Sequence, residues 1–179
     1  MIIAANIISL IASAVQLFAP FAKKKTTMSA VYAASSVIFS ISYIMIRSWA
    51  ALVSILLCLM RNLGLAVGLS KRWFYWVCAA LTGIFGLFFN NNGLIGILPV
   101  LATIQYTLWG CYCKDAQQLR YGLLINYIPW IFFDFAVRLY TSAVFNIIYL
   151  VLVIWNIVIY RRQAVTMEEK CYEKRVKHG

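Results

Sequence analysis

The chain has 179 residues, of which 64% are hydrophobic and 12% charged, and its formal net charge is +11. A soluble domain is usually about half apolar and a quarter charged, so this composition excludes a soluble globular protein and predicts an integral membrane protein. The basic residues lie in short clusters between apolar segments, as they do in membrane proteins, which argues against a nucleic-acid-binding surface.

Seven apolar segments follow one another, each close to the roughly 20 residues that a helix needs to cross a bilayer. A spanning β-barrel would need alternating segments instead of continuous apolar ones. The predicted fold class is therefore an all-α membrane protein with seven transmembrane helices. These helices are predicted over residues 2–22, 28–46, 48–70, 73–89, 94–113, 121–137 and 141–160, followed by a solvated, mostly irregular tail over residues 163–179.

The distribution of lysine and arginine predicts the orientation. Cytoplasmic loops of membrane proteins carry the excess of these residues. Seven crossings place thirteen of them on one side and two, Arg47 and Arg138, on the other, with Arg61 inside the membrane. We therefore expect the N-terminus outside and the C-terminus in the cytoplasm.

The spacing of charges indicates an internal repeat. Lys23 and Arg47 bracket the second segment, and Lys114 and Arg138 bracket the sixth at the same separation of 24 positions. We therefore predict a first triple-helix bundle (1–70), a linker helix (71–93), a second triple-helix bundle (94–162) and a cytoplasmic tail (163–179). One helix between the bundles gives both the same orientation, which makes a parallel 3+1+3 repeat about an axis along the membrane normal.

This plan, with the N-terminus outside, resembles that of the SWEET sugar transporters and the wider PQ-loop group. The stretches "LPVLATIQYTLW", "LLINYIPWIFFDFAV" and "AVFNIIYLVLVIWNIVIYRR" are similar to YgjV-type bacterial inner-membrane proteins. Those proteins also carry an Arg-Asn pair in the third helix, as "LMRNLGL" does here. The resemblance implies the fold and a location in the bacterial inner membrane, and it implies little about function. The SWEET transporters have a proline within the first helix of each bundle. The sequence departs from this pattern because its first bundle has a proline, Pro20, only at a helix end.

Arg61 is the principal candidate for a functional residue. It lies nine positions before Ser70, or about 13 Å from the predicted cytoplasmic end of its helix. An arginine at the centre of a membrane helix costs about 2.5 to 3.5 kcal/mol. It either extends toward the surface and holds helix ends together, or it faces a cavity and binds an anionic or polar solute. The forked guanidinium suits the second role because it donates two parallel hydrogen bonds to an anion.

Three further candidates follow from the resemblance. In the resembled transporters, an asparagine from each bundle and nearby tryptophans line the central pocket. By that resemblance, Asn62 and Asn156 would hydrogen-bond a polar solute and Trp155 would stack on it. The alternative for the two asparagines is a structural hydrogen bond between helices.

Asp134 is the single acidic residue within the predicted transmembrane segments. It lies four positions before Arg138, so one expectation is an i,i+4 ion pair near the outer interface. The other is a proton or ion site coupled to transport, because ionisable groups inside membranes are often functional.

Histidine and cysteine usage predicts no metal site, because the one histidine, His178, is next to the last residue and no CxxC pair occurs. The sequence also has no Ser/His/Asp set, paired carboxylates within a helix or glycine-rich phosphate loop, so we expect neither a cofactor nor an enzyme.

The leading interpretation is a transporter-like protein that moves a small polar or anionic solute through a cavity between the two bundles. The alternative is a non-transport assembly or regulatory protein that binds partner helices. The expected partners are the solute, the lipid bilayer and further copies of the chain, and no nucleic acid. Polar residues that face one central axis would favour transport, and polar residues that face outward would favour a protein partner.

Overall fold

A computed structural model describes the backbone of residues 1–69, 71–113 and 115–178, and the side chains within these ranges as far as Tyr160. Ser70, the predicted end of the third segment, Lys114, which brackets the sixth, and Gly179 lie outside the described residues. Within these ranges the chain forms seven α-helices and one short 3-10 helix and no strand. The elements are α1 (Ile2–Gln16), the 3-10 helix (Ala19–Phe21), α2 (Lys25–Met45), α3 (Trp49–Ala66), α4 (Arg72–Phe88), α5 (Ile97–Tyr112), α6 (Ala116–Ala136) and α7 (Tyr140–His178).

Four helical segments of the described residues are long and apolar enough to cross a membrane, namely Ile2–Phe21, Lys25–Met45, Trp49–Ala66 and Tyr140–Tyr160. The helix α4 is also apolar but shorter. Large hydrophobic side chains are exposed on all seven helices, for example Ile3, Val37, Leu56, Ile84, Leu101, Phe132 and Val151. An apolar exterior on this scale is what a lipid-facing surface requires, because soluble proteins rarely expose large contiguous apolar areas.

Several helix ends differ from the sequence-based predictions. The helix α1 ends before the predicted boundary because Pro20 stands in the 3-10 helix that follows it. The helix α6 begins at Ala116, five positions earlier than predicted. Asp115 caps it by accepting a hydrogen bond from the Gln118 backbone N–H at 2.8 Å, which satisfies one of the free donors of its first turn. Polar residues are tolerated in the first turn of α6, so apolar content alone predicted the start of this helix poorly.

The prediction of an irregular tail is wrong. The helix α7 continues from the membrane segment as far as His178. The stretch from Gln163 to His178 contains no proline or glycine and is rich in Glu, Lys and Arg, which are good helix formers. Polar composition excluded this stretch from the membrane but did not exclude a helix.

The helices form a ring of six with a seventh outside it. Neighbours along the chain pack in the order α1–α2–α3 and α5–α6–α7. The ring closes through contacts of α3 with α5 and of α1 with α7, and α2 also contacts α6. The helix α4 packs against α3 and α5.

The helices α2 and α6 match each other closely. Both have 21 residues, and their first residues, Lys25 and Ala116, are 91 positions apart. Each is followed by an arginine with a positive φ angle, 55° at Arg47 and 64° at Arg138, which is uncommon for a residue other than glycine. The N–H that follows each arginine donates to the carbonyl five positions earlier, from Ser48 to Tyr43 at 3.0 Å and from Leu139 to Asp134 at 2.9 Å. Both helices therefore end in a Schellman motif with arginine in the position that glycine usually occupies.

Candidate functional site

A cavity of about 60 Å³ lies inside the ring of helices, and we call it the central cavity. All of the six ring helices line it, and α4 does not. Every lining side chain except Ile55 is buried, so the cavity is internal. The lining residues that carry a polar group are Gln16, Tyr32, Ser35, Ser36, Tyr43, Cys58, Arg61, Asn62, Tyr106, Asn126, Tyr127, Trp130, Ser142 and Asn146.

Arg61 lies in this lining and is only 2% exposed. Its Nη1 donates to Thr107 Oγ1 at 2.9 Å. Its Nε and Nη2 both donate to Asn62 Oδ1, at 3.3 Å and 3.0 Å. The guanidinium carbon lies 4.4 Å from the centre of the Tyr106 ring, which is close enough for a cation–π contact. The side chain is thus directed inward and is not extended to the surface.

All of these partners of Arg61 are neutral. No acidic residue of the described part of the chain forms an ion pair with it, and Arg61 is the one charged residue of the cavity lining. A guanidinium has five N–H groups, and three are used, so one on each Nη remains for a ligand or water. A buried charge is costly unless it is paired, and this charge has neutral donors and acceptors as its neighbours.

Asp134 is fully buried behind the cavity wall. Its Oδ1 accepts from Tyr43 Oη at 3.1 Å, and its Oδ2 accepts from Ser142 Oγ at 2.5 Å and Asn146 Nδ2 at 3.0 Å. All three donors line the central cavity, whereas Asp134 itself does not. One layer of polar groups therefore separates the carboxylate from the cavity.

The expected ion pair between Asp134 and Arg138 is absent among the described residues. Arg138 lies beyond the end of α6 with a positive φ angle, and its side chain is exposed. The i,i+4 relationship of a helix face does not extend through this turn, so the two charges do not approach each other.

The cavity also touches a cluster of four buried tyrosines, Tyr32, Tyr106, Tyr127 and Tyr149. Tyr32 and Tyr149 share a hydrogen bond between their hydroxyl groups, and Gln16 donates to the hydroxyl of Tyr127. The rings of Tyr127 and Tyr149 have centroids 4.6 Å apart. Hydroxyl groups from α2, α6 and α7 thus meet inside the bundle.

Asn156 and Trp155 do not reach the cavity. Trp155 is 64% exposed and points away from the ring interior. Asn156 is buried, but its Nδ2 donates to the Leu152 carbonyl of its own helix at 2.9 Å. The structure therefore brings together Arg61 and Asn62 of the predicted site, places Asp134 one layer behind it and leaves Asn156 and Trp155 outside. The α7 residues in the lining are instead Ser142 and Asn146.

Two basic residues that sequence reasoning had assigned to loops cross-link the ring at one end, which we call the basic end. Lys25 Nζ, at the start of α2, donates to the Gly110 and Cys113 carbonyls at the end of α5, both at 3.1 Å. Arg120 Nη2, near the start of α6, donates to the Pro20 and Ala22 carbonyls beyond α1, at 2.8 Å and 3.0 Å. Each residue thus satisfies carbonyls that the end of a helical segment leaves free. The available signal was a basic residue one to three positions before the start of a predicted membrane helix.

Two asparagines cross-link the opposite end, which we call the asparagine end. Asn6 Nδ2 donates to the Arg138 carbonyl at 3.1 Å, and its Oδ1 accepts from the Thr141 N–H at 3.0 Å. Asn91 Nδ2 donates to the Arg47 carbonyl at 2.6 Å, and its Oδ1 accepts from the Trp49 N–H at 3.0 Å. Each asparagine therefore closes a turn that contains a positive-φ arginine.

The family model Imp-YgjV, whose description is "Bacterial inner membrane protein", matches residues 3–164 of the chain. No curated protein matches the chain. No solved structure matches it either.

Proposed function

The chain belongs to the Imp-YgjV family of bacterial inner membrane proteins. From the geometry of its interior, we propose that it moves a small polar or anionic solute through the central cavity. It is a multi-pass protein of the bacterial inner membrane, with helices long and apolar enough to span that membrane. The observation that carries the proposal is Arg61, a buried cation that faces an internal cavity and has no acidic partner among the described residues.

We propose that α1–α3 and α5–α7 are the two bundles of a parallel 3+1+3 repeat, with α4 as the linker. The equal lengths of α2 and α6, their offset of 91 positions and their matching ends support this. The packing also supports it, because a two-fold exchange of the bundles turns the α1–α7 contact into the α5–α3 contact. The central cavity then lies between the bundles, as in transporters whose repeats face each other across an axis along the membrane normal.

The orientation follows from the basic residues. With the N-terminus outside, the basic end faces the cytoplasm and the asparagine end faces the outer side. The basic excess of the sequence is then cytoplasmic, in agreement with the positive-inside rule. Arg61, near the end of α3, lies in the cytoplasmic half of the bundle, and Asp134, near the end of α6, lies in the outer half.

The cross-links suggest how access to the cavity is controlled. Lys25 and Arg120 each join one bundle to the other at the cytoplasmic end. On the outer side, Asn6 joins α1 to the turn of the other bundle, and Asn91 joins the segment before α5 to the turn of the first. In this proposal each pair opens in turn, and the solute enters or leaves on the side where the pair is broken.

Asp134 is the candidate for coupling to a proton. It is separated from the cavity by Tyr43, Ser142 and Asn146, whose hydroxyl and amide groups can relay a change in its charge to the solute. An ionisable group inside a membrane bundle is commonly part of such a relay.

The alternative role, an assembly or regulatory protein, receives less support. Its polar groups should face outward, toward partner helices. Many of the buried polar residues of this chain instead line an internal cavity, and the exposed surface is dominated by apolar side chains.

Uptake into liposomes tests the proposal. The purified chain is reconstituted, and uptake of a panel of labelled sugars, amino acids, organic anions and inorganic anions is measured against empty liposomes. We expect uptake of at least one class, lost in Arg61→Leu and retained in Arg47→Leu, which removes an exposed arginine instead. If no class enters faster than in empty liposomes, the proposal of transport is wrong.

A further inference from the structure

We propose that the central cavity binds a small monovalent anion, of the size of a halide, nitrate or formate, at Arg61 and Asn62. The inference deepens the proposed function and rests on the same site. It assigns a ligand class that the resemblance to sugar transporters would not suggest.

The first argument is charge. Among the cavity-lining residues, Arg61 carries the one formal charge, and it is positive. The carboxylate of Asp134 does not line the cavity, and its two oxygens already accept hydrogen bonds from Tyr43, Ser142 and Asn146. A neutral solute would leave the guanidinium unpaired, whereas a monovalent anion neutralises it inside the low-dielectric bundle.

The second argument is the arrangement of donors. Arg61 retains one N–H on each Nη, and these two groups can bond one anion side by side. The Asn62 Oδ1 is occupied by Arg61, so its amide nitrogen remains available, and it donates to no other described residue. The Tyr106 hydroxyl is a further donor in the lining and has no partner among the described residues. Arg61, Asn62 and Tyr106 thus each retain a donor that a bound anion can use.

The third argument is size. The cavity has a volume of about 60 Å³. That is space for a few water molecules, at roughly 10 to 15 Å³ each, and it is far below the ~300 Å³ at which pockets for larger organic ligands begin. A halide or formate fits without rearrangement of the walls, whereas a sugar would require the ring of helices to expand.

The test is the thermal unfolding midpoint of the purified protein in detergent, with bromide or formate replacing gluconate at constant ionic strength. A ligand that binds the folded state raises the midpoint by an amount that grows with the logarithm of one plus the ratio of its concentration to its Kd. We expect bromide and formate to raise it, and gluconate and glucose to leave it unchanged. Arg61→Gln should weaken the apparent affinity at least tenfold and Arg61→Lys less, while Arg138→Gln, the loss of an exposed arginine, should not change it.

The outcomes separate this inference from the proposed function. Equal midpoints in bromide, formate and gluconate, or a bromide effect that survives in Arg61→Gln, overturn the anion site. If glucose alone raises the midpoint, the anion site is wrong while solute transport stands. Binding of bromide that depends on Arg61, without uptake of any solute class into liposomes, supports the anion site and contradicts transport. The comparison of salts on the wild-type chain decides the question even if an Arg61 variant fails to fold.

Discussion

The Tyr43 hydroxyl donates to the Asp134 carboxylate at 3.1 Å, and the two residues are 91 positions apart in the chain. The same offset separates the first residues of α2 and α6 and the two positive-φ arginines, Arg47 and Arg138. Tyr43 and Asp134 therefore occupy equivalent places in the two proposed bundles and meet each other. Residues that are equivalent under a two-fold rotation can touch only close to its axis, so this hydrogen bond marks where the axis should pass.

The matching helix ends give the first prediction. Replacement of Arg47 or Arg138 by glycine should raise the free energy of unfolding by about 1 kcal/mol, because a left-handed backbone costs a residue with a side chain roughly that amount. Denaturant unfolding in detergent measures the effect. Arg47→Ala and Arg138→Ala are the controls, since alanine retains the strain and should bring no gain. Unequal effects at the two sites would argue against equivalent turns.

Asp134→Asn should uncouple transport from the proton. The amide keeps the shape of the carboxyl and can still accept from Ser142 and Asn146, so we expect the variant to fold. Uptake driven by a proton gradient should fall strongly, while exchange of labelled for unlabelled solute should continue. Loss of both processes, or loss of neither, would remove Asp134 from the coupling role.

The cross-links predict which side of the bundle opens. In a chain whose other cysteines are replaced by serine, Cys58 reports on the cavity that it lines. Arg120→Gln should speed its modification by a membrane-impermeant thiol reagent from the cytoplasmic side severalfold, because two bonds to the end of the first helical segment are lost. Asn6→Ala should speed modification from the outer side.

Lys23→Gln is the matched control for these labelling rates. Lys23 is an exposed lysine close to the cross-links of the basic end, so its replacement by glutamine should leave both labelling rates unchanged. If Arg120→Gln raises the rate on the outer side instead, the assignment of the two ends is reversed.

The orientation has a direct test. A reporter fused after Gly179 should be active only if it functions in the cytoplasm, because thirteen of the sixteen basic residues lie on that side of the predicted topology. A reporter in the turn near Arg138 should require export for activity. If the C-terminal fusion is active outside the cytoplasm, every loop and both cross-links lie on the side of the membrane opposite to the predicted one.

Composition and the alternation of apolar segments with basic clusters predicted the all-helical class and the approximate position of all seven helices. For Arg61, the sequence left two alternatives, a side chain extended toward the surface or one that faces a cavity. Only the packing of the helices decides between them, because the sequence of a helix that is apolar on every side does not reveal which face meets its neighbours. The same limitation explains Trp155 and Asn156, which the resemblance selected and which lie outside the cavity. Lys25 and Arg120 were assigned to loops because they are charged and lie outside the apolar segments. Their contacts could not be predicted, because the backbone carbonyls that they bind carry no sequence signal.

The measurement that tests the account most directly is solute flux into liposomes containing the wild type, Arg61→Leu, Arg61→Lys or Arg47→Leu. Arg61→Leu makes its segment more apolar, so insertion should be normal, and flux should fall to the level of empty liposomes. Arg61→Lys should retain part of the flux because the charge remains while the forked geometry is lost, and Arg47→Leu should match the wild type. Flux in Arg61→Leu equal to that of the wild type would show that the buried arginine is structural and would contradict the central claim.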